Sequence, residues 1–373
     1  MVTKIKLSEF LDNKSMYYDE IDYSTIKKAW NELKPHVSLP FVIHLVGTNG
    51  KGSTGRFLAH YLNKTNYKVL HYSSPHILKF NERIWINGSD VSDAILEDTH
   101  NKLQTILSEN LIEKLTYFEY TTLLSFYLSS GYDYLVLEAG LGGEFDATNV
   151  VKNDLTLITT IDFDHQSFLG NTIKEIAGTK LRSCDTKMIV NKQVHEEVYA
   201  IAKEYDFSHV DTFDVSSLDF LPEYLLQNLQ LSLSALKYLN IEINLDKFDD
   251  IELFGRCQKI KENITIDVGH NPLAASVIKD FFEKKEKKVS LVYNCFSDKD
   301  YKKVLTILYP IINEILIINV SDNRIVDKKN LLKVCADLNI KVDDFKSLEQ
   351  NKEYLVFGSF SVVEEFLKVY VEK

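Results

Sequence analysis

Residues 47–54 read Gly47, Thr48, Asn49, Gly50, Lys51, Gly52, Ser53 and Thr54. Glycines let backbone N–H groups converge, a lysine adds a compact positive charge, and two hydroxyls can bind phosphate or metal. These are the parts of a phosphate cradle. The common G-x-x-x-x-G-K-[ST] spacing does not fit, because position 45 is Leu45 and Gly52 follows Lys51. A flexible linker is the alternative. The β-rich run before the loop and the helical pattern after it weigh against a linker.

Four more clusters combine chemistry-bearing side chains. In EAGLGGEFDATN (138–149), Glu138 closes an apolar run, and a carboxylate there can hold Mg²⁺ bound to nucleotide. In TTIDFDHQSFLG (159–170), Asp162, Asp164 and His165 gather after another apolar run. In IDVGHNP (266–272), Asp267 and His270 precede Pro272, a residue suited to a helix start, and Arg256 lies just upstream as a phosphate clamp. In SSPHILKFNERIWING (73–88), Ser74-Pro75-His76 precede Arg83, which could hold a carboxylate or be an ordinary surface arginine.

These residues need a frame. FVIHLVG (41–47) reads as a strand and GRFLAHYLNK as a helix with Phe57, Leu58 and Tyr61 on one face. Strands are expected at 67–74, 132–140, 155–162 and 187–191, with helices at 172–182 and 222–240. The alternation then restarts with strand 263–269 and continues to the end. Such alternation predicts βαβ units in a mostly parallel sheet, with ligands at the carboxyl ends of the strands. A boundary is expected at 245–256, giving residues 1–250 as a larger P-loop-type α/β domain and 251–373 as a smaller Rossmann-like one.

Bulk composition narrows the class. The chain has 373 residues, is 45% hydrophobic and carries a net charge of -11. An acidic field argues against nucleic acid as a partner and means that local cations must hold any anionic substrate. The four cysteines are scattered and form no C-x-x-C pair. The first residues contain no signal-peptide core, and no apolar run could span a bilayer. A soluble cytoplasmic protein is expected.

In order along the chain, GTNGKGST, SSPHILKFNERIWING, FEYTT, LEAGLGGEFDATN, DHQSFLG, FGRCQ, DVGHNP, SDKD and FGSF resemble the folylpolyglutamate synthase/dihydrofolate synthase branch of the Mur ligase family. The resemblance covers nearly the whole chain. It implies that residues 47–54 hold ATP phosphates, with Asn228 near adenine and Arg256, Asp267 and His270 on ribose and phosphate. It implies two Mg²⁺ sites, one at Ser74 and Glu138 and one at His165, with K⁺ as a further ion. Lys180 falls where the family carries a lysine carboxylated by CO₂, although Leu181, Arg182 and Ser183 replace the usual Ala-Gly-Ile. Phe118, Glu119 and Thr122 would suit a pterin-side pocket, and Arg83 with the Asp298-Lys299-Asp300 turn would help place substrate carboxylates. The segment MYYDEIDYSTIKKAW departs from the family's pattern before the loop.

The implied reaction is ATP-dependent amide formation by a monomer, in a cleft that two domains could close. Its substrates would be L-glutamate, ATP, and dihydropteroate or a reduced folate. Lys51, His270 and Lys180 would be catalytic. Two alternatives are a ligase acting on a UDP-muramoyl peptide and a non-catalytic nucleotide-binding protein. Little chain precedes Gly47, which speaks against the first.

Overall fold

The structure, a computed structural model, describes residues 5–15 and 22–370. The chain divides into two compact units, one of residues 1–218 with 225–251, the other of residues 219–224 with 252–373.

The first unit is built on eight strands: β1 (Phe41–Val46), β2 (Val69–Tyr72), β3 (Ile84–Ile86), β4 (Ser89–Asp90), β5 (Tyr134–Glu138), β6 (Leu155–Ile158), β7 (Lys187–Val190) and β8 (Asp206–His209). Their order in the sheet is β4-β3-β2-β5-β1-β6-β7-β8. All pairings are parallel except those of β3 with β2 and with β4. The central strands are apolar throughout: Val42, Ile43, Leu45 and Val46 of β1 are buried, as are Leu135, Val136 and Leu137 of β5. Near-continuous apolar runs are what a sheet covered on both faces requires.

Strand β1 leads through residues 47–50 into the helix Lys51–Lys64. That helix is fixed by Phe57, Leu58, Tyr61 and Leu62, all fully buried. Phe57 meets Phe248 edge to face at a centroid distance of 5.9 Å. The helix Tyr117–Leu128 starts in a capping box: the Thr116 hydroxyl accepts from Glu119 N–H, and Glu119 accepts from Thr116 N–H. FEYTT therefore sits inside that helix.

The second unit holds a six-stranded sheet of β9 (Gln258–Lys261), β10 (Ile264–Ile266), β11 (Val289–Tyr293), β12 (Ile312–Ile317), β13 (Lys341–Asp344) and β14 (Tyr354–Phe357). The order is β13-β12-β11-β14-β10-β9, with only β9 antiparallel. Sequence periodicity missed β8, β9 and β13, which are short and mostly polar. It also assigned residues 219–224 to the first domain by chain order. They group instead with the second unit, where the Tyr224 hydroxyl donates to Asp267 at 2.9 Å.

The four cysteines are unpaired. Among the described residues no helix is long and apolar enough to cross a membrane.

Phe57→Ala removes a fully buried ring from the helix that carries the loop. The expected loss is about 3–5 kcal/mol of stability, read as a lower denaturation midpoint.

Candidate functional site

The carboxyl ends of β5, β1 and β6 lie side by side, and each carries part of the site. Leu45 pairs with Glu138 on one side, and Val46 pairs with Ile158 on the other. The loop from β1 is then pulled onto the chain after β6. Thr48 and Asn49 both donate their amides to Thr160 O, at 2.9 and 3.2 Å. The Thr48 hydroxyl donates to Asp162 O at 2.9 Å. The Thr48 and Asn49 amides thus brace the loop against the chain after β6.

The helix that follows offers further amides. Its first intrahelical bond runs from Thr54 N to Gly50 O at 2.9 Å. The N–H groups of Lys51, Gly52 and Ser53 come before that bond, at the positive end of the helix dipole. Gly50 caps the helix with φ 90°. A Cβ there would be both strained and 2.5 Å from Asn228 Oδ1. Asn228, buried on the helix Glu223–Tyr238, thus lies against the loop. Ser53 and Thr54 are buried, and Thr54 Oγ1 is a buried hydroxyl oxygen with no partner.

Two cations meet at one oxygen. Lys51 Nζ donates to Gly47 O at 3.1 Å, and Lys180 Nζ donates to the same oxygen at 2.9 Å. Lys180 reaches it from the helix Ile173–Leu181 and is 4% exposed. Burial, then repulsion from Lys51, lowers its pKa to about 7, against smaller pulls from Asp164 and Asp146. An amine that is about half neutral near pH 7 can react with CO₂.

Ser74 N donates to Glu138 Oε2 at 3.2 Å, and Glu138 is 5% exposed. A hydroxyl and a carboxylate are the hard oxygen donors that Mg²⁺ takes, so this pair fits a divalent cation. His165 is exposed, in a left-handed conformation with φ 49°, and Nε2 lies 3.6 Å from Asp164 Oδ2. Asp164 and Lys180 feel one another's charge. His165, Asp164 and the Lys180 amine therefore occupy one region. Among the described residues no three His, Cys, Asp or Glu side chains form a ready-made metal cluster. A cation here would need mixed donors.

The substrate-side residues divide. Arg83 is buried and donates from Nε to His76 Nδ1 at 2.8 Å. Phe118 is half-buried and packs on Gly140, where a Cβ would stand 2.6 Å from its ring. Glu119 takes part in the capping box, and Thr122 is fully buried with its hydroxyl on Phe118 O at 2.8 Å. Of the segment before the loop, residues 16–21 lie outside the described residues.

In the second unit, Asp267 is 4% exposed and accepts from Tyr224 Oη, Cys257 N and Gly269 N. It braces two turns. Arg256 sits with its guanidinium carbon 5.2 Å over the Phe360 ring. His270 is half-buried before the helix Pro272–Lys284.

Sequence reading missed Asp146. It is buried, takes N–H groups from Leu141 and Thr148, and interacts electrostatically with Lys51 and Lys180. Its signal was Asp-Ala-Thr, a side-chain cap at a turn. Asp162 was noted in the sequence, but its partner His195, at 3.0 Å, could not be.

The chain is 31% identical over 412 residues to the dihydrofolate synthase/folylpolyglutamate synthase of Haemophilus influenzae, covering 94% of this chain and 93% of that protein. The crystal structure of Helicobacter pylori folylpolyglutamate synthetase matches at 38% identity and a TM-score of 0.78, covering 98% of both chains. The bifunctional folylpolyglutamate synthase/dihydrofolate synthase of Yersinia pestis, complexed with AMPPNP and Mn ion, matches at 25% identity and a TM-score of 0.82, covering 96% of both. No protein-family model matches the chain.

Lys180→Met tests the buried amine. With the folded pKa near 7 and the unfolded value at 10.5, the unfolded chain binds the extra proton over that window, so wild-type stability rises with pH across it. Below pH 7 the full cost of the buried charge is present. The melting-temperature advantage of Lys180→Met is therefore expected to be greatest below pH 7 and to shrink towards pH 10. A pH-independent difference would contradict the shift.

Proposed function

The chain belongs to the dihydrofolate synthase/folylpolyglutamate synthase family, and from that premise we propose an ATP-dependent ligase. It joins L-glutamate to dihydropteroate and to the γ-carboxylate of tetrahydrofolate. The observation that carries the reading is the convergence of Lys51 and Lys180 on Gly47 O, beside the buried Glu138.

The physical problem is that a carboxylate must approach a triphosphate. In the proposed mechanism the Lys51, Gly52 and Ser53 amides and the Lys51 ammonium hold the phosphate oxygens, and the Thr54 hydroxyl gains the partner it lacks. Asn228 orders the loop at Gly50. The acceptor carboxylate attacks the γ-phosphorus, giving an acyl phosphate and ADP. The glutamate amine then attacks the acyl carbon and expels phosphate. Lys51 offsets the charge that gathers at the phosphate oxygens. Arg83 holds an acceptor carboxylate, and Phe118 lies on the pterin side. Arg256 and His270 are assigned to the nucleotide.

A divalent metal would supply charge neutralisation at the phosphates, with Ser74 and Glu138 to hold it and His165 with Lys180, as its carbamate, to hold a second. Lys180 fits the carbamate because its amine is buried and readily deprotonated. The family resemblance supports a cytoplasmic monomer.

Lys51→Ala is expected to fold normally and to lose turnover at least about 100-fold. Mass spectrometry of products checks the reading, with dihydropteroate and then tetrahydrofolate as acceptor. Glutamate-dependent mass gain with both acceptors is the expected result. ATP hydrolysis without any glutamate adduct would contradict it.

The carbamate has its own test. Wild-type protein in ¹³C-bicarbonate should show a carbamate carbon resonance that Lys180→Ala lacks. An identical spectrum from the variant would remove the carbamate.

A further inference from the structure

Arg83 is a buried cation without an anion. The residue is 5% exposed. Among the described residues it forms no ion pair, and its only side-chain hydrogen bond is Nε to His76 Nδ1 at 2.8 Å. Its guanidinium carbon lies 5.1 Å over the Tyr117 ring. Phe80 closes the set, edge-on to His76 at 6.3 Å and to Tyr117 at 6.2 Å. The guanidinium is thus fixed at Nε and at one face, leaving the two terminal nitrogens as a planar fork. A fork of that shape matches a carboxylate.

Its location fits the acceptor. Arg83 O accepts from Ser73 N at 2.9 Å, and the next residue, Ser74, donates its amide to Glu138. The unpaired cation therefore stands one strand from the proposed metal-binding carboxylate. Because Arg83 Nε–H donates, His76 Nδ1 must carry the lone pair, which places the imidazole proton on Nε2.

We propose that His76 is a positioning residue: its Nδ1 fixes Arg83 so that the two terminal nitrogens receive the carboxylate of the acceptor substrate. This rests on the ligase reading above. Without the Nδ1 contact, Arg83 regains rotamer freedom and the fork is no longer preorganised.

The test uses the full chain and measures KM separately for dihydropteroate, glutamate and ATP. Arg83→Gln and His76→Leu should each raise the dihydropteroate KM about tenfold or more, and leave the ATP KM within about twofold. His76→Asn, whose Oδ1 can stand in for Nδ1, should restore most of the loss. In the Arg83→Gln background, His76→Leu should add no further increase. An unchanged dihydropteroate KM in His76→Leu, when Arg83→Gln raises it, would overturn the inference and leave the ligase reading intact. A rise confined to glutamate or ATP, or an independent effect in the double variant, would also overturn it. Failure of the wild type to join glutamate to any acceptor would instead remove the reading on which the inference rests.

Discussion

Two lysine nitrogens share one backbone oxygen, and that crowding governs the site. Gly47 O accepts from both Lys51 and Lys180. The oxygen is placed by close approach of the loop to the end of β6: a Cβ on Gly47 would stand 1.9 Å from Thr159 Oγ1. Burial first, and then repulsion from Lys51, lowers the Lys180 pKa to about 7. Asp146 supplies a buried carboxylate nearby, held by amides of its own turn. An oxyanion at the loop would relieve the rest. The same crowding would favour the phosphate proposed for Lys51 and the carbamate proposed for Lys180.

Much of the frame was legible because the central strands are apolar runs and the helices carry clear apolar faces. The strand–loop–helix at 41–64 was readable from Gly47, Gly50 and the Phe57, Leu58 and Tyr61 face. What was not legible depends on contacts distant in sequence. Which loop amides are already spent is decided by Thr160, more than a hundred positions away. The burial of Lys180 is set by helix packing, and nothing in Thr-Lys-Leu-Arg signals it. The Thr116–Glu119 spacing did carry a capping-box signal, and the helix starts there. The Asp267 carboxylate ties down turns through donors from Tyr224, Cys257 and Gly269, none of them a neighbour in the IDVGHNP reading except Gly269.

The division into units makes the same point. Helix Glu223–Tyr238 is continuous, yet residues up to Tyr224 group with the second unit and those from Leu225 with the first. Chain order alone could not place that change, because helical periodicity runs through it unbroken. Asn228 lies on the same helix against the loop at Gly50, and Tyr224 donates to Asp267.

The central claim is that Lys51 leaves Gly47 O when a triphosphate arrives. A crystal structure of the protein with AMPPNP and Mg²⁺ tests this directly. The account predicts Lys51 Nζ about 3 Å from a β- or γ-phosphate oxygen, with phosphate oxygens on the Gly52 and Ser53 amides. Lys51 still bonded to Gly47 O, with the triphosphate bound elsewhere, would contradict it.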